Sequence, residues 1–390
     1  MNEDQNTPSF HQKFPIKIER GRGTAVWDDS GNEYIDCMGG YGVALVGHCN
    51  PRVVDAIKNQ AEKLLVCHMS LHNDAREEFI KRILSIAPRG LDKIFFSNSG
   101  TEAVEAALKF ARRYTGKSGI ISMTGGYHGK TFGALSVTYS EKYRKPFMPL
   151  LEGVKFLPYT TDNIDPAIDK GIGAIIIEPI QGETGIILPP EGLLQRVRET
   201  CSKHGIVLIF DEIQSGLGRT GKMWAGEHWK TVPDVMCLAK GMAGGVPIGL
   251  TLSRPEIMDS LKVGEHSSTF GGNPLACAAG SATIDALMKD RLVENADAAG
   301  AFFKKGLEDL QQKHRIVREV RGIGLMLAME LRFDIRTLLL SGIKQGLLML
   351  YSGKNIIRLL PPLLMDKATI SSVLEIMDDL LTAEERRRNV

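Results

Sequence analysis

Gly205-Ile-Val-Leu-Ile-Phe-Asp-Glu-Ile-Gln214 and Val235-Met-Cys-Leu-Ala-Lys-Gly-Met-Ala-Gly-Gly245 decide the fold. Residues 206–210 are apolar without a break and rich in β-branched side chains. Such a run reads as a strand of a parallel sheet, buried on both faces. Asp211 falls at its carboxyl end. Residues 235–238 form a second run of this kind, and Lys240 lies just past it. Further short apolar runs flank these two: Lys93-Ile-Phe-Phe96, Gly119-Ile-Ile-Ser122, Ala174-Ile-Ile-Ile177 and Ile248-Gly-Leu-Thr-Leu252. From about residue 70 to 255 they alternate with helical stretches, the signature of βαβ units. The prediction is an α/β fold with a mostly parallel sheet sandwiched by helices. Open sheets of this class bind ligands outside the carboxyl ends of their strands. Asp211 and Lys240 would therefore bring a carboxylate and an amine to one place.

The rest of the chain divides around that sheet. At ~100–200 residues per domain, 390 residues suit about two domains. Residues 1–45 read as an arm ending in a hairpin, with strands Ala25-Val-Trp-Asp28 and Glu33-Tyr-Ile-Asp36 around the turn Asp29-Ser-Gly-Asn32. Residues 51–65 read as a helix, with Val53, Val54, Ile57, Ala61 and Leu64 at helical spacing. Arg254-Pro255 ends the alternation. A long helical region is expected over 274–310, short strands near 318–330 and 355–359, and a last amphipathic helix from about Lys367. Its end, Glu384-Glu-Arg-Arg-Arg388, reads as solvated. The expected organisation is a large domain over 46–255 and a small α+β domain over 256–390, joined by the arm.

Composition excludes several classes of function. With 48 basic and 46 acidic residues the net charge is +2, which gives no footprint for nucleic acid or an anionic membrane. No apolar run approaches the ~20 residues that span a bilayer. Residues 1–8 lack the basic and apolar regions of a secretory leader, so a cytoplasmic protein is expected. The six cysteines are scattered with no Cys-x-x-Cys pair, as free thiols in a reducing compartment would be. His68 and His72 share a helical spacing but have no third ligand nearby, so no metal is expected.

Several segments combine chemistry-bearing residues. Phe96-Ser-Asn-Ser-Gly-Thr-Glu-Ala103 follows a strand and opens a helix over 102–114. It reads either as an ordinary N-cap by Ser99 or Thr101 with Glu102, or as an anion cup built from Gly100 and Thr101. Beside Lys240 and Asp211 the cup is the better reading. In Gly125-Gly-Tyr-His-Gly-Lys-Thr131, Tyr127 suits stacking on a planar ring, and Lys130 suits a carboxylate as a point charge or a solvated turn. Glu178-Pro-Ile-Gln-Gly-Glu-Thr-Gly185 sets two carboxylates at a strand end, with Glu183 the favoured site residue. Gly216-Leu-Gly-Arg-Thr-Gly221 matches a dinucleotide pattern only formally, because no helix follows it. Gly264-Glu-His-Ser-Ser-Thr-Phe-Gly-Gly-Asn-Pro274 reads as a capping loop. Arg358, in an apolar stretch, needs either a protein partner or a ligand carboxylate. An amine and a carboxylate at neighbouring strand ends suit pyridoxal 5'-phosphate (PLP): the lysine bonds the aldehyde, and the aspartate keeps the ring nitrogen protonated.

Together these segments resemble the class III, or ω-, aminotransferases of PLP fold type I, from about residue 14 to 364. The resemblance implies that Lys240 bonds the cofactor, Asp211 faces its ring nitrogen, and Gln214 lies near its phenolic oxygen. It implies phosphate contacts from Gly100 and Thr101, and from Thr269 of a neighbouring subunit in a homodimer with a shared active site. Tyr127 would stack on the ring. Arg358 would bind the α-carboxylate of glutamate or 2-oxoglutarate, and Glu183 would neutralise that arginine while another amine is bound. Ser268 and Lys130 are expected to contact substrate. Within the family the chain is most similar to the acetylornithine branch and its carrier-protein-linked lysine/ornithine members, on Arg318-Glu-Val-Arg-Gly-Ile-Gly324 and Glu330-Leu-Arg-Phe-Asp334. The implied reaction moves a terminal amino group from acetylornithine, or from a donor held on an acidic amino-group carrier protein, to 2-oxoglutarate, as in arginine or lysine biosynthesis. Lys130 departs from this branch, which has arginine there. His-Gly-Lys and Arg144-Lys-Pro-Phe-Met-Pro-Leu150 resemble putrescine aminotransferases instead. The alternatives are a 4-aminobutyrate or putrescine aminotransferase and, more distantly, a PLP aminomutase or racemase, or a nicotinamide-dependent oxidoreductase.

Overall fold

The computed structural model describes residues 6–8, 13–162 and 164–389. Ile18–Arg22 (β1), Ala25–Asp28 (β2) and Glu33–Asp36 (β3) form an antiparallel meander, with the expected hairpin as its second half. The rest of the expected arm, residues 1–5 and 9–12, lies outside the described residues. Lys93–Ser97 (β4), Gly119–Met123 (β5), Val154–Leu157 (β6), Ile172–Ile177 (β7), Val207–Asp211 (β8), Val235–Leu238 (β9) and Gly249–Ser253 (β10) build a seven-stranded sheet in the order β4-β10-β9-β8-β7-β5-β6. Only β10 runs antiparallel to its neighbours. Strands β7 and β8 are wholly buried, as their unbroken apolar sequence demands.

Pro51–Ala61 (α1), Asp74–Ile86 (α2), Gly100–Thr115 (α3) and Leu193–His204 (α4) belong to the first part of the chain. The second part contributes Pro274–Lys289 (α5), Leu292–Lys313 (α6), Arg336–Lys344 (α7) and Lys367–Arg388 (α8). Val317–Ile323 (β11), Met326–Leu331 (β12), Leu347–Leu348 (β13), Leu350–Ser352 (β14) and Ile356–Leu359 (β15) complete the strands. β11, β12, β15 and β14 form one antiparallel sheet, while β13 pairs in parallel with β3 and so stitches the N-terminal meander to the C-terminal part. Among the described residues no helix is long and apolar enough to cross a membrane.

Three expectations need correction. α1 stops at Ala61, and Leu64 is 46% exposed rather than part of its buried face. His68 and His72 lie in an irregular segment, so they share no helix face. The helical region expected over 274–310 is present as two helices, parted where Arg291 takes a left-handed conformation (φ 52°) that no α-helix continues. The terminal charge run is not simply solvated: Glu384 is buried and pairs with Arg387 and Arg388, and Arg388 lies 3.8 Å above the Phe333 ring.

Candidate active site

The central strands end at one cavity. Asp211 closes β8 and is 5% exposed. Its Oδ1 accepts the Ile213 amide at 3.1 Å, and its Oδ2 accepts from His128 Nδ1 at 2.8 Å. His128 comes from the glycine-rich loop after β5 and is itself buried. Lys240 follows β9 at the head of a short 3-10 turn, with φ 45°. A left-handed conformation costs a non-glycine residue roughly 1–2 kcal/mol and persists where surrounding contacts enforce it, often at functional sites. Burial lowers the pKa of the Lys240 amine, while the nearby Glu183 carboxylate opposes that shift. Among the described residues no carboxylate is ion-paired with the amine.

The loop after β4 carries the N-cap. Ser99 caps α3, and the Glu102 carboxylate accepts from the Asn98 amide at 3.0 Å and from Ser99 Oγ at 2.8 Å. That cap leaves the Gly100 and Thr101 amides without an acceptor among the described residues, as the first turn of a helix does. Gly100 packs closely here, since a Cβ would come within 2.8 Å of Ile213 Cδ1. Thr101 Oγ1 lies 2.7 Å from Thr131 Oγ1 in the opposite loop.

The loops after β5 and β7 supply the rest. Tyr127 is part-buried, and burial pushes its phenol up to about 12. Its ring meets Tyr143 edge-on at 5.9 Å, and the Lys130 ammonium lies 4.7 Å from the Tyr143 ring. Glu183 Oε1 accepts from Arg358 Nη1 at 3.0 Å, which gives the 1% exposed arginine the protein partner its sequence context demanded. Arg358 also donates to the carbonyls of Gly182 (3.2 Å) and Tyr351 (3.3 Å).

Asp211, Gln214, Lys240, Gly100, Thr101, Tyr127, Lys130 and Glu183 all line one cavity of about 490 Å³, a size typical of cofactor sites. Arg358 stands behind Glu183 rather than in the lining. Ser268 and Thr269 are not brought into this cavity within one chain. They line a neighbouring one of about 370 Å³ that shares Asn98, whose Nδ2 donates to Ser268 Oγ at 3.2 Å. The Gly216–Gly221 stretch opens no helix; it ends in turns, with Arg219 fully buried and donating to the carbonyls of Leu325 and Pro361.

Sequence reasoning ranked Glu178 below Glu183 and missed His128, Tyr41 and Tyr143. Only His128 carried a signal, as a histidine inside a glycine-rich loop already under suspicion. Tyr41, at φ 62° between glycines that also take positive φ, holds its ring 6.0 Å from the Arg358 guanidinium. The residues present fit PLP on their own evidence. Two free amides at a helix start suit a phosphate. Gln214 Oε1 is buried without a partner, a polar atom that needs a donor. A buried carboxylate, an amine with a lowered pKa and an aromatic face complete the set.

Comparison with known proteins agrees with this chemistry. The family model described as aminotransferase class III matches residues 7–381. A Methanopyrus kandleri protein named acetylornithine aminotransferase is 43% identical over 384 residues, covering 97% of this chain and 98% of that protein. A Staphylococcus aureus protein named ornithine aminotransferase 1 is 42% identical over 384 residues, covering 95% and 96%. Among solved structures, a Toxoplasma gondii ornithine aminotransferase with PLP at partial occupancy in its active site superposes with a TM-score of 0.96 at 32% identity, covering all of this chain and 94% of that one. An acetylornithine aminotransferase from Elizabethkingia anophelis gives 0.87, also at 32% identity, covering 98% and 97%.

Proposed function

The chain belongs to the class III aminotransferases, which are PLP-dependent transaminases, and we propose that it moves the terminal amino group of an N-blocked ornithine- or lysine-type donor to 2-oxoglutarate. The products are a semialdehyde and glutamate. N-acetylornithine is the first candidate donor, in keeping with the names of its relatives. The observation that carries the reading is the Glu183–Arg358 pair beside the Lys240 cavity. A carboxylate that covers an arginine suits an enzyme with two substrates, one bringing an α-carboxylate to the reacting carbon and one bringing none.

When bound, PLP supplies an electron sink for the substrate carbon that carries the amine. The protein does the rest. Lys240 would hold the cofactor's aldehyde carbon, and its amine is placed to take the proton from the substrate carbon and return it as general base and acid; its lowered pKa favours the base. Asp211, oriented by His128 and by the Ile213 amide, keeps the ring nitrogen protonated. Tyr127 supplies the ring's aromatic contact, Gln214 a polar contact at its oxygen, and Gly100 and Thr101 the phosphate donors. Thr269 and Ser268 serve the partner's site in a homodimer. The reading keeps an arm over 1–45, a PLP-binding domain over 46–255 and a small domain over 256–390. It also keeps a cytoplasmic location and, as a second form of donor, lysine or ornithine on an acidic carrier protein.

A second reading, putrescine or 4-aminobutyrate as donor, is favoured by one observation. Lys130 is exposed at the cavity and cannot grip a carboxylate in a bidentate way. Glutamate formation from N-acetylornithine, ornithine, 4-aminobutyrate, putrescine and carrier-linked lysine separates the two, in wild type and in Lys130→Arg. We expect N-acetylornithine to lead, and Lys130→Arg to lower its KM without helping putrescine. Putrescine leading in both proteins would replace the first reading with the second.

A further inference from the structure

Glu178 follows β7 and is 7% exposed, yet no lysine or arginine pairs with it among the described residues. Burial raises its pKa, and keeping such a carboxylate is costly unless its oxygens are hydrogen-bonded. They are, and both partners are backbone amides on different loops. Oε1 accepts from Tyr127 N at 2.8 Å, and Oε2 accepts from Gly182 N at 3.0 Å. The same two loops are joined twice more: Gln181 Nε2 donates to Thr124 O at 2.7 Å, and Thr184 Oγ1 donates to Gly125 O. One loop carries Tyr127, the other Glu183.

Gly182 extends the link. Its carbonyl accepts from Arg358 Nη1 at 3.2 Å, and a Cβ on it would fall 2.2 Å from Gln214 Oε1, so it packs closely against that side chain. Arg358 therefore has two kinds of support. Glu183 is a side chain able to swing aside, whereas the carbonyls of Gly182 and Tyr351 are fixed. With Glu183 withdrawn, the guanidinium rests on the carbonyls of Gly182 and Tyr351, and Glu178 holds the amide of Gly182.

We propose that Glu178 is a positioning residue that braces Tyr127 against Gly182, and so fixes the spacing between the aromatic face on the cofactor and the Arg358 site for the oxo acid. The proposal rests on the functional reading above. A shift of ~1 Å in a reacting geometry is able to cost ~100-fold in rate, which gives such a brace a purpose.

The test uses holoenzyme and separates the two half-reactions by the absorbance near about 420 nm. Glu178→Gln presents an amide N–H to one of the two backbone donors and breaks the brace there. Expected are a rise of about tenfold or more in KM for 2-oxoglutarate, a weaker PLP dissociation constant by fluorescence quenching, and a donor half-reaction within about twofold of wild type. Equal losses in both half-reactions would mark a merely structural role and overturn the proposal, as would no change in either. Should Glu178→Gln fail to fold, Thr184→Val cuts a parallel link from an exposed position. It should shift the same KM in the same direction by less, and an unchanged KM counts against the brace. A wild-type protein that neither binds PLP nor forms glutamate would instead sink the functional reading, before any variant is made.

Discussion

Glu212 sits beside Asp211 in sequence but faces a different cavity, under Trp224 and Ile86. Its carboxylate is 2% exposed and accepts the Ala225 and Gly226 amides at 2.7 and 2.9 Å. Burial outweighs these bonds and pushes its pKa up to about 7. A folded-state pKa above the unfolded one means that the native protein holds a proton the unfolded chain has released. The stability gained is full below the unfolded value and is lost as pH rises through about 7, amounting to up to about 3 kcal/mol. Unfolding free energies of the apoprotein at pH 6, 7 and 8 should therefore fall with pH, and Glu212→Gln should flatten the slope. Parallel curves for the two proteins would refute this. The same physics governs how far single residues were legible. Lys240 and Asp211 could be read because each ends an apolar strand, and strand ends converge. Arg358 announced that it needed a partner, since an arginine in an apolar run must have one. Nothing in the spacing named Glu183 as that partner, because the two meet only through tertiary folding. The partners of Glu178 and the place of Tyr41 were invisible for a related reason. Glu178 acts through backbone amides, which every residue has, and Tyr41 depends on a left-handed loop conformation.

Elements were legible in proportion to their length and periodicity. The long α8 and the unbroken strands β7, β8 and β9 follow from their apolar pattern almost residue for residue. β6 has four residues with a lysine among them, and β13 has two, too few to show a period. The break between α5 and α6 carries no glycine or proline; Asp290-Arg291 turns the chain because the two helices pack in different places. α5 packs on α1 and α2. Gly280 in α5 is one reason it fits, because a Cβ there would reach within 2.6 Å of Phe79 Cε2. Gly280→Ala gains about 1 kcal/mol of helix propensity but overpacks a buried contact at a cost of about 1–3 kcal/mol. The steric cost wins, so the denaturation midpoint should fall with m unchanged. Trimming Phe79 to leucine in the same protein should restore most of the loss. A more stable Gly280→Ala protein would mean that the helices separate easily.

At the scale of the molecule, one surface of the chain is left apolar. Leu64, Leu65, Val66, Met69 and Leu71 are each at least 46% exposed, and Phe270 is 59% exposed. They adjoin, since Met69 Sδ lies against Gly272, and the buried Arg76 donates to the carbonyls of Cys67, Leu71 and Gly272. A guanidinium spent on three carbonyls holds this surface rigid, which a soluble monomer has no reason to do with an apolar patch. Thr269 lies next to Phe270, beside the cavity rather than in it. A homodimer that covers the patch and lends Thr269 to the partner's phosphate site accounts for both observations. Leu71→Asp places an unpaired charge in such an interface. Sedimentation should then show a monomer that binds PLP weakly, whereas the proposed homodimer predicts a wild-type protein that runs as a dimer at least. Mixed dimers make the sharing itself visible. If the sites are shared, Lys240→Ala and Thr269→Val each damage both sites of their own dimer. Co-refolding the two proteins leaves one site of each mixed dimer with wild-type Lys240 and Thr269, so activity should rise above that of either protein alone. If mixing restores nothing while dimers form, each chain completes its own site, and Thr269 has no part in its partner's.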